Sequence, residues 1–96
     1  MRPRRVQRQP QYRDPTYRDL VGRLAASIRH LRERRGWTQE ETAELCAMPV
    51  RLVQQIEAGE TNATLTTLAR LAKGFAIDGA TLLRARPPKG RPARVK

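Results

Sequence analysis

Arg51, Gln54 and Gln55 are the side chains in this sequence best suited to reading another molecule. A guanidinium presents paired N–H donors that match O6 and N7 of guanine, and a carboxamide, with a donor beside an acceptor, matches N6 and N7 of adenine. Their spacing puts them on one flank of a helix. At about 100° per residue from Pro49, Val53 and Ile56 fall together with Leu52 beside them, while Arg51, Gln54, Gln55 and Ala58 fall opposite. Val50 lies at the edge of that flank, placed to touch a thymine methyl. The chemistry on offer is recognition of base edges in the DNA major groove. A flank of this composition also suits an ordinary solvated helix face, and phasing alone does not choose between the two.

The neighbouring sequence supplies the scaffold such a helix needs. In WTQEETAELCAMPVRLVQQIEAGE, residues 37–60, Thr38 is placed to accept from the backbone of the next turn, and Glu41 to reach back to the Thr38 amide. That capping box starts one helix. Met48, ahead of a proline, is pushed out of helical geometry, and Pro49 with its fixed φ suits the first turn of a second helix, about 49–58, closed at Gly59. Two short helices across a tight turn form a helix-turn-helix. Upstream, Asp14 and Pro15 open a helix whose Tyr17, Leu20, Leu24, Ile28 and Leu31 recur every three or four residues until Gly36 ends it near Arg35. Downstream, Thr64 caps a fourth helix that buries Leu65, Leu68, Leu71 and Ala72, with Gly74 as its stop and Phe75 beneath; Asp78 caps a short fifth. No window alternates with a period of two, so the fold class is all-α, with one small core.

Residues 20–83 resemble the lambda repressor/Cro-like helix-turn-helix family, also called the XRE family, a compact bundle of five short helices. The resemblance is carried by Trp37, Thr38, Gln39, Glu40 and Glu41 opening the second helix, by Ala43 within it, and by Ile56, Glu57, Gly59 and Glu60 closing the third. It continues through LTTLARLAKGF and the Leu82, Leu83 pair. It implies that Val50, Arg51, Gln54 and Gln55 face bases. Thr38 and Gln39 are expected at the DNA backbone; the resemblance implies that Gln39 binds a phosphate and braces the start of the recognition helix, and that Thr61 and Asn62 touch phosphate. Three positions depart from the family pattern. Ala47 replaces a turn glycine, so a left-handed backbone there costs on the order of 1 kcal/mol. Thr42 stands where leucine is usually buried, and Gly79 where the last helix usually carries an apolar residue. A modestly stable domain is expected.

Charge divides the chain into three parts. Residues 1–13 form a basic arm, 14–83 the helix-turn-helix domain and 84–96 a basic, Pro-rich tail. The formal charge is +11; residues 1–19 carry six Arg against two Asp, residues 84–96 six basic and no acidic residues, and residues 20–83 only +1. Charge concentrated on flanks neutralises phosphates without choosing a sequence. Within the tail, PPKGRPAR has a Lys89-Gly90-Arg91-Pro92 core that resembles an AT-hook. In such a segment a glycine lets extended backbone enter the narrow A·T minor groove, and Lys89, Arg91 and Arg94 meet the minor groove or phosphates.

Other chemistries find no residues. Cys46 is the single cysteine, His30 the single histidine, and Gly74 to Gly79 has P-loop-like glycine spacing without the Lys-Ser/Thr that grips phosphate. Glu40, Glu41 and Glu44 sit near the positive end of a helix, where they stabilise it. An enzyme is not expected, nor a metal site or cofactor. There is no apolar run long enough to span a membrane and no signal-peptide segment, which points to the cytoplasm and the nucleoid. The expectation is a sequence-specific DNA-binding transcriptional regulator, most like bacterial or phage members of that family, bound to double-stranded DNA as a homodimer with the fifth helix, around Ile77 and Leu82, at the interface. The alternative is an antitoxin or bridging protein whose domain grips a protein partner or RNA. A general nucleoid protein, with little preference among sequences, is a third reading.

Overall fold

The computed structural model describes residues 12–84. Its first helix, α1 (Pro15–Arg35), starts where the Asp14 carboxylate accepts the Tyr17 amide at 3.0 Å and Pro15 takes a first-turn position. It stops at Gly36, whose φ of 70° lies in the left-handed region that glycine enters without a Cβ penalty. The apolar stripe of α1 is only partly interior. Leu24 and Ile28 are buried and Leu31 half-buried, but Leu20, expected on the same stripe, is 43% exposed and lines a cleft with Tyr17 and Leu24 rather than the core.

The second helix, α2 (Gln39–Leu45), carries the full capping box: the Thr38 hydroxyl accepts from the Glu41 amide at 3.0 Å, and the Glu41 carboxylate accepts from the Thr38 amide at 2.8 Å. Thr42 occupies its core position fully buried. Its hydroxyl donates to the Thr38 carbonyl at 3.0 Å, so the polar group enters the interior already satisfied. The chain then turns through Ala47, at φ 56°, and Pro49 precedes α3 (Val50–Glu57) as its N-cap rather than its first helical residue. The backbone at Ala47 is thus left-handed, the conformation in which the absence of a turn glycine was expected to carry a cost. The Ala47 carbonyl is held by the Arg70 guanidinium at 3.0 Å, so the fourth helix fastens the turn from outside.

In α4 (Leu65–Phe75) Thr64 is the cap, its hydroxyl accepting from the Thr67 amide at 3.1 Å. Gly74 is not the stop. The helix continues through it and ends at Ala76, a second left-handed alanine at φ 57°. What Gly74 provides is proximity to the end of α2: a Cβ built there would lie 2.4 Å from the Cys46 sulfur and 3.0 Å from both the Cys46 Cα and the Leu45 carbonyl oxygen. Leu65, expected inside, is 82% exposed, because as the first residue of α4 it precedes the turn that meets the core.

The fifth element is a 3₁₀ helix, Gly79–Leu83, not an α-helix, and Asp78 makes no side-chain cap. With glycine in place of an apolar residue there is less to draw this segment onto the bundle, yet one side chain suffices to anchor it. Leu82 is fully buried and joins Leu24, Ile28, Cys46, Ile56, Leu71 and Phe75 in the core. Its burial removes Leu82 from any dimer contact. Trp37 stacks on Phe75 with centroids 5.1 Å apart, and the Arg35 guanidinium lies over both rings while donating to the Phe75 carbonyl at 2.7 Å. The described residues form four α-helices and one 3₁₀ helix, without strands.

Candidate nucleic-acid interface

The helix α3 turns Val53 and Ile56 fully inward, which forces the opposite flank to solvent. Arg51 and Gln54 are exposed, and Val50 and Gln55 are half-exposed on its margin. The side chains of Arg51, Gln54 and Gln55 form no hydrogen bond to another described residue, so their donors and acceptors remain available to a ligand. The phasing read from sequence is reproduced: the four residues share one face.

Gln39 is the first residue of α2 and half-buried. Its side chain does brace α3, but at the far end from the one expected: Nε2 donates to Glu57 Oε1 at 3.2 Å, in the last turn rather than the first. That bond links the first residue of α2 to the last residue of α3. Thr38 is exposed, with its hydroxyl oxygen accepting the Glu41 amide. Thr61 and Asn62 lie in the loop between α3 and α4, on the rim of a cleft of about 160 Å³ that also involves Tyr17 and Leu20 of α1. Lys89, Arg91 and Arg94 lie outside the described residues, as do residues 1–11 of the basic arm.

A charged cluster beneath the site was not anticipated. Glu57 is only 5% exposed, and Arg32 of α1 holds its carboxylate with both Nε, at 2.6 Å, and Nη2, at 3.1 Å. Arg29, one turn earlier on α1, donates to the Glu57 carbonyl, one of the last free carbonyls of α3. The hydrogen bond to Glu57 raises the Arg32 pKa against the opposing effect of burial, so the guanidinium stays charged throughout the accessible range. The signal was present in the sequence. Glu57 follows Val53 by four residues, which places an acid on the inward flank of α3, and an inward acid requires a partner.

A short helix with a bare polar flank, presented across a tight turn by a braced partner helix, defines a helix-turn-helix protein. The family model described as a helix-turn-helix domain matches residues 23–85. The HTH-type transcriptional regulator SutR of Escherichia coli (strain K12) is 30% identical over 65 residues, 68% of this chain and 36% of that protein. The Neisseria hypothetical transcription factor of Neisseria meningitidis serogroup B is 31% identical over 77 residues, 80% of this chain and 71% of that protein. Among solved structures, the hypothetical transcription factor NHTF from Neisseria superposes with a TM-score of 0.68 at 30% identity, over 74% of this chain and 82% of that one. The HTH_3 family transcriptional regulator from Vibrio cholerae superposes with a TM-score of 0.63 at 28% identity, over 66% of this chain and 35% of that one. The chain thus spans about a third of two of these relatives and most of the Neisseria protein. It belongs to the helix-turn-helix domain family, in its XRE-like branch, a family of DNA-binding transcriptional regulators and not of enzymes. Among the described residues no group of three acidic, His or Cys side chains could hold a metal ion, and no helix is long and apolar enough to cross a membrane.

Proposed function

We propose that this protein is a sequence-specific transcriptional regulator that reads the major groove with Val50, Arg51, Gln54 and Gln55. The observation that supports this most is the helix α3 itself: its polar flank is exposed and carries base-matching groups that no other described residue hydrogen-bonds, while its apolar flank is spent on the core. Thr38, Gln39, Thr61 and Asn62 bind backbone phosphates around it and set the register. The flanking charge, with Lys89, Arg91 and Arg94 in the tail, adds affinity on any DNA and places the protein at the nucleoid.

On DNA the protein acts as a homodimer, since two-fold symmetry supplies paired half-sites about one helical turn apart. The surface that serves this is the apolar one formed by exposed Leu65 and Ala80 with half-buried Leu68 and Leu83, around a groove of about 340 Å³, rather than Leu82.

The reading is tested by selecting bound fragments from random duplex DNA at a fixed salt concentration and repeating the selection with Arg51→Ala. The variant is expected to lose roughly 1–3 kcal/mol on the selected site and to relax one base position. An equal loss on selected and random DNA would overturn the assignment.

A further inference from the structure

We infer that Glu57 is a positioning residue for base reading: with Arg32, Arg29 and Gln39 it sets the rotation of the recognition helix and ties it to the phosphate-binding end of α2. This rests on the major-groove reading above, and goes beyond it by assigning the discrimination between sequences partly to residues that face away from the bases.

The argument starts from how little else orients α3. The helix has eight residues, about two turns, and Pro49 at its N-cap offers no side-chain hydrogen bond. A helix of that length holds its shape through tertiary contacts, not through its own ladder. Val53 and Ile56 decide which flank faces inward, but apolar contact is non-directional and constrains the roll of the helix less sharply than a hydrogen bond does. Hydrogen bonds are directional, and those that reach α3 from the rest of the bundle converge on Glu57. Arg32 grips the carboxylate with two donors at 2.6 and 3.1 Å, Arg29 takes the main-chain carbonyl of the same residue, and Gln39 donates to Oε1 at 3.2 Å. Three different side chains from two helices therefore fix one residue in three directions.

Glu57 lies one turn from Gln54 and two turns from Arg51 along α3. A roll at the anchor is transmitted to both, because an α-helix is stiff over this length. A bidentate Arg–guanine pair needs both N–H···acceptor vectors near linear, and hydrogen bonds weaken steeply with misalignment. Phosphate attraction, in contrast, falls slowly with distance and tolerates such a displacement. Loss of the anchor should thus remove discrimination before it removes affinity. The bond to Glu57 also fixes the amide of Gln39: one Nε2 hydrogen is directed at the carboxylate, and the second is left to face a phosphate. One carboxylate thereby sets both a base-reading helix and a backbone clamp.

The experiment compares wild type with Glu57→Gln, which keeps the side-chain shape but loses the charge, and with Arg32→Lys, which keeps the charge but loses the paired hydrogen bonds. Each is measured well below its melting temperature, with helix content checked by circular dichroism. Dissociation constants are determined for the selected duplex and for random duplex of equal length at one salt concentration. The ratio of the two constants is expected to fall about tenfold in Glu57→Gln, with random-duplex binding changed less than twofold. Arg32→Lys should fall between that variant and wild type. If Glu57→Gln does not fold, the Arg32→Lys ratio decides alone. A ratio equal to that of wild type in a folded variant, or an equal weakening on both duplexes, overturns the inference and makes the cluster a stability element only. Failure of wild type to select any sequence would instead refute the major-groove reading, so the two failures are distinguishable.

Discussion

Gly74→Ala is a sharp test of how the helix-turn-helix is held to the bundle. In most helix interiors this substitution stabilises, by about 1 kcal/mol, since alanine loses less backbone entropy than glycine. Here the new methyl group would lie 2.4 Å from the Cys46 sulfur and 3.0 Å from the Cys46 Cα and the Leu45 carbonyl oxygen. Ordinary contact for such atoms begins near 3.4 Å, so the shortfall is about 1 Å against sulfur and a few tenths of an ångström against backbone. Cys46 is buried in the core and cannot swing aside, and the other two atoms belong to the main chain. The helices α2 and α4 must therefore separate. Overpacking of this kind costs about 1–3 kcal/mol, and the severity of the sulfur contact places it in the upper part of that range. Less the propensity gain, a net loss of about 1–2 kcal/mol remains, or roughly 5–15 °C in Tm for a domain of this size. Thermal and urea unfolding followed by far-ultraviolet circular dichroism measure it directly. Cys46→Ala in the same background removes the sulfur but not the backbone contacts, and should restore only part of the loss. A Gly74→Ala protein as stable as wild type would show that the α2–α4 approach is wrong.

Ala47→Gly should raise stability by about 0.5–1 kcal/mol, because relief of the left-handed strain at φ 56° exceeds the entropy glycine adds to the unfolded chain; a decrease in urea midpoint would contradict this. Burial raises the pKa of the Cys46 thiol, so the folded state keeps that proton longer than the unfolded one. Its contribution is complete below the ordinary thiol pKa of about 8.5 and is lost as pH rises toward the folded value. The stability of wild type should accordingly decline relative to Cys46→Ala as pH rises above about 8.5, and parallel curves would exclude the effect. Leu65→Gln, on the exposed apolar surface, should weaken self-association by about tenfold or more in analytical ultracentrifugation, given the area a leucine buries. An unchanged association constant would leave that surface to a different protein.

The readings that survived from sequence are local ones. The capping box at Thr38 and Glu41, the stop at Gly36 and the Thr64 cap each depend on residues within a few positions of one another, and chain connectivity alone brings them into contact. The inward and outward flanks of α3 followed from helical period for the same reason. What tertiary structure decided involves partners distant in the chain. Gly74 is a contact between α4 and α2 rather than a helix end, because only packing shows what lies against its missing side chain. Leu65 and Leu20 carry the residue type of a core and lie outside it, whereas Leu82 of a short 3₁₀ helix is wholly inside. Glu57 shows the division most clearly. Its inward phase was legible from Val53, but its partners Arg29 and Arg32 lie 28 and 25 residues away on α1, a separation that no local rule spans. Local hydrogen-bonding and periodicity determine which helices form and which flank of each is apolar; only the packed bundle determines which charges must meet, as Arg32 of α1 and Glu57 of α3 do.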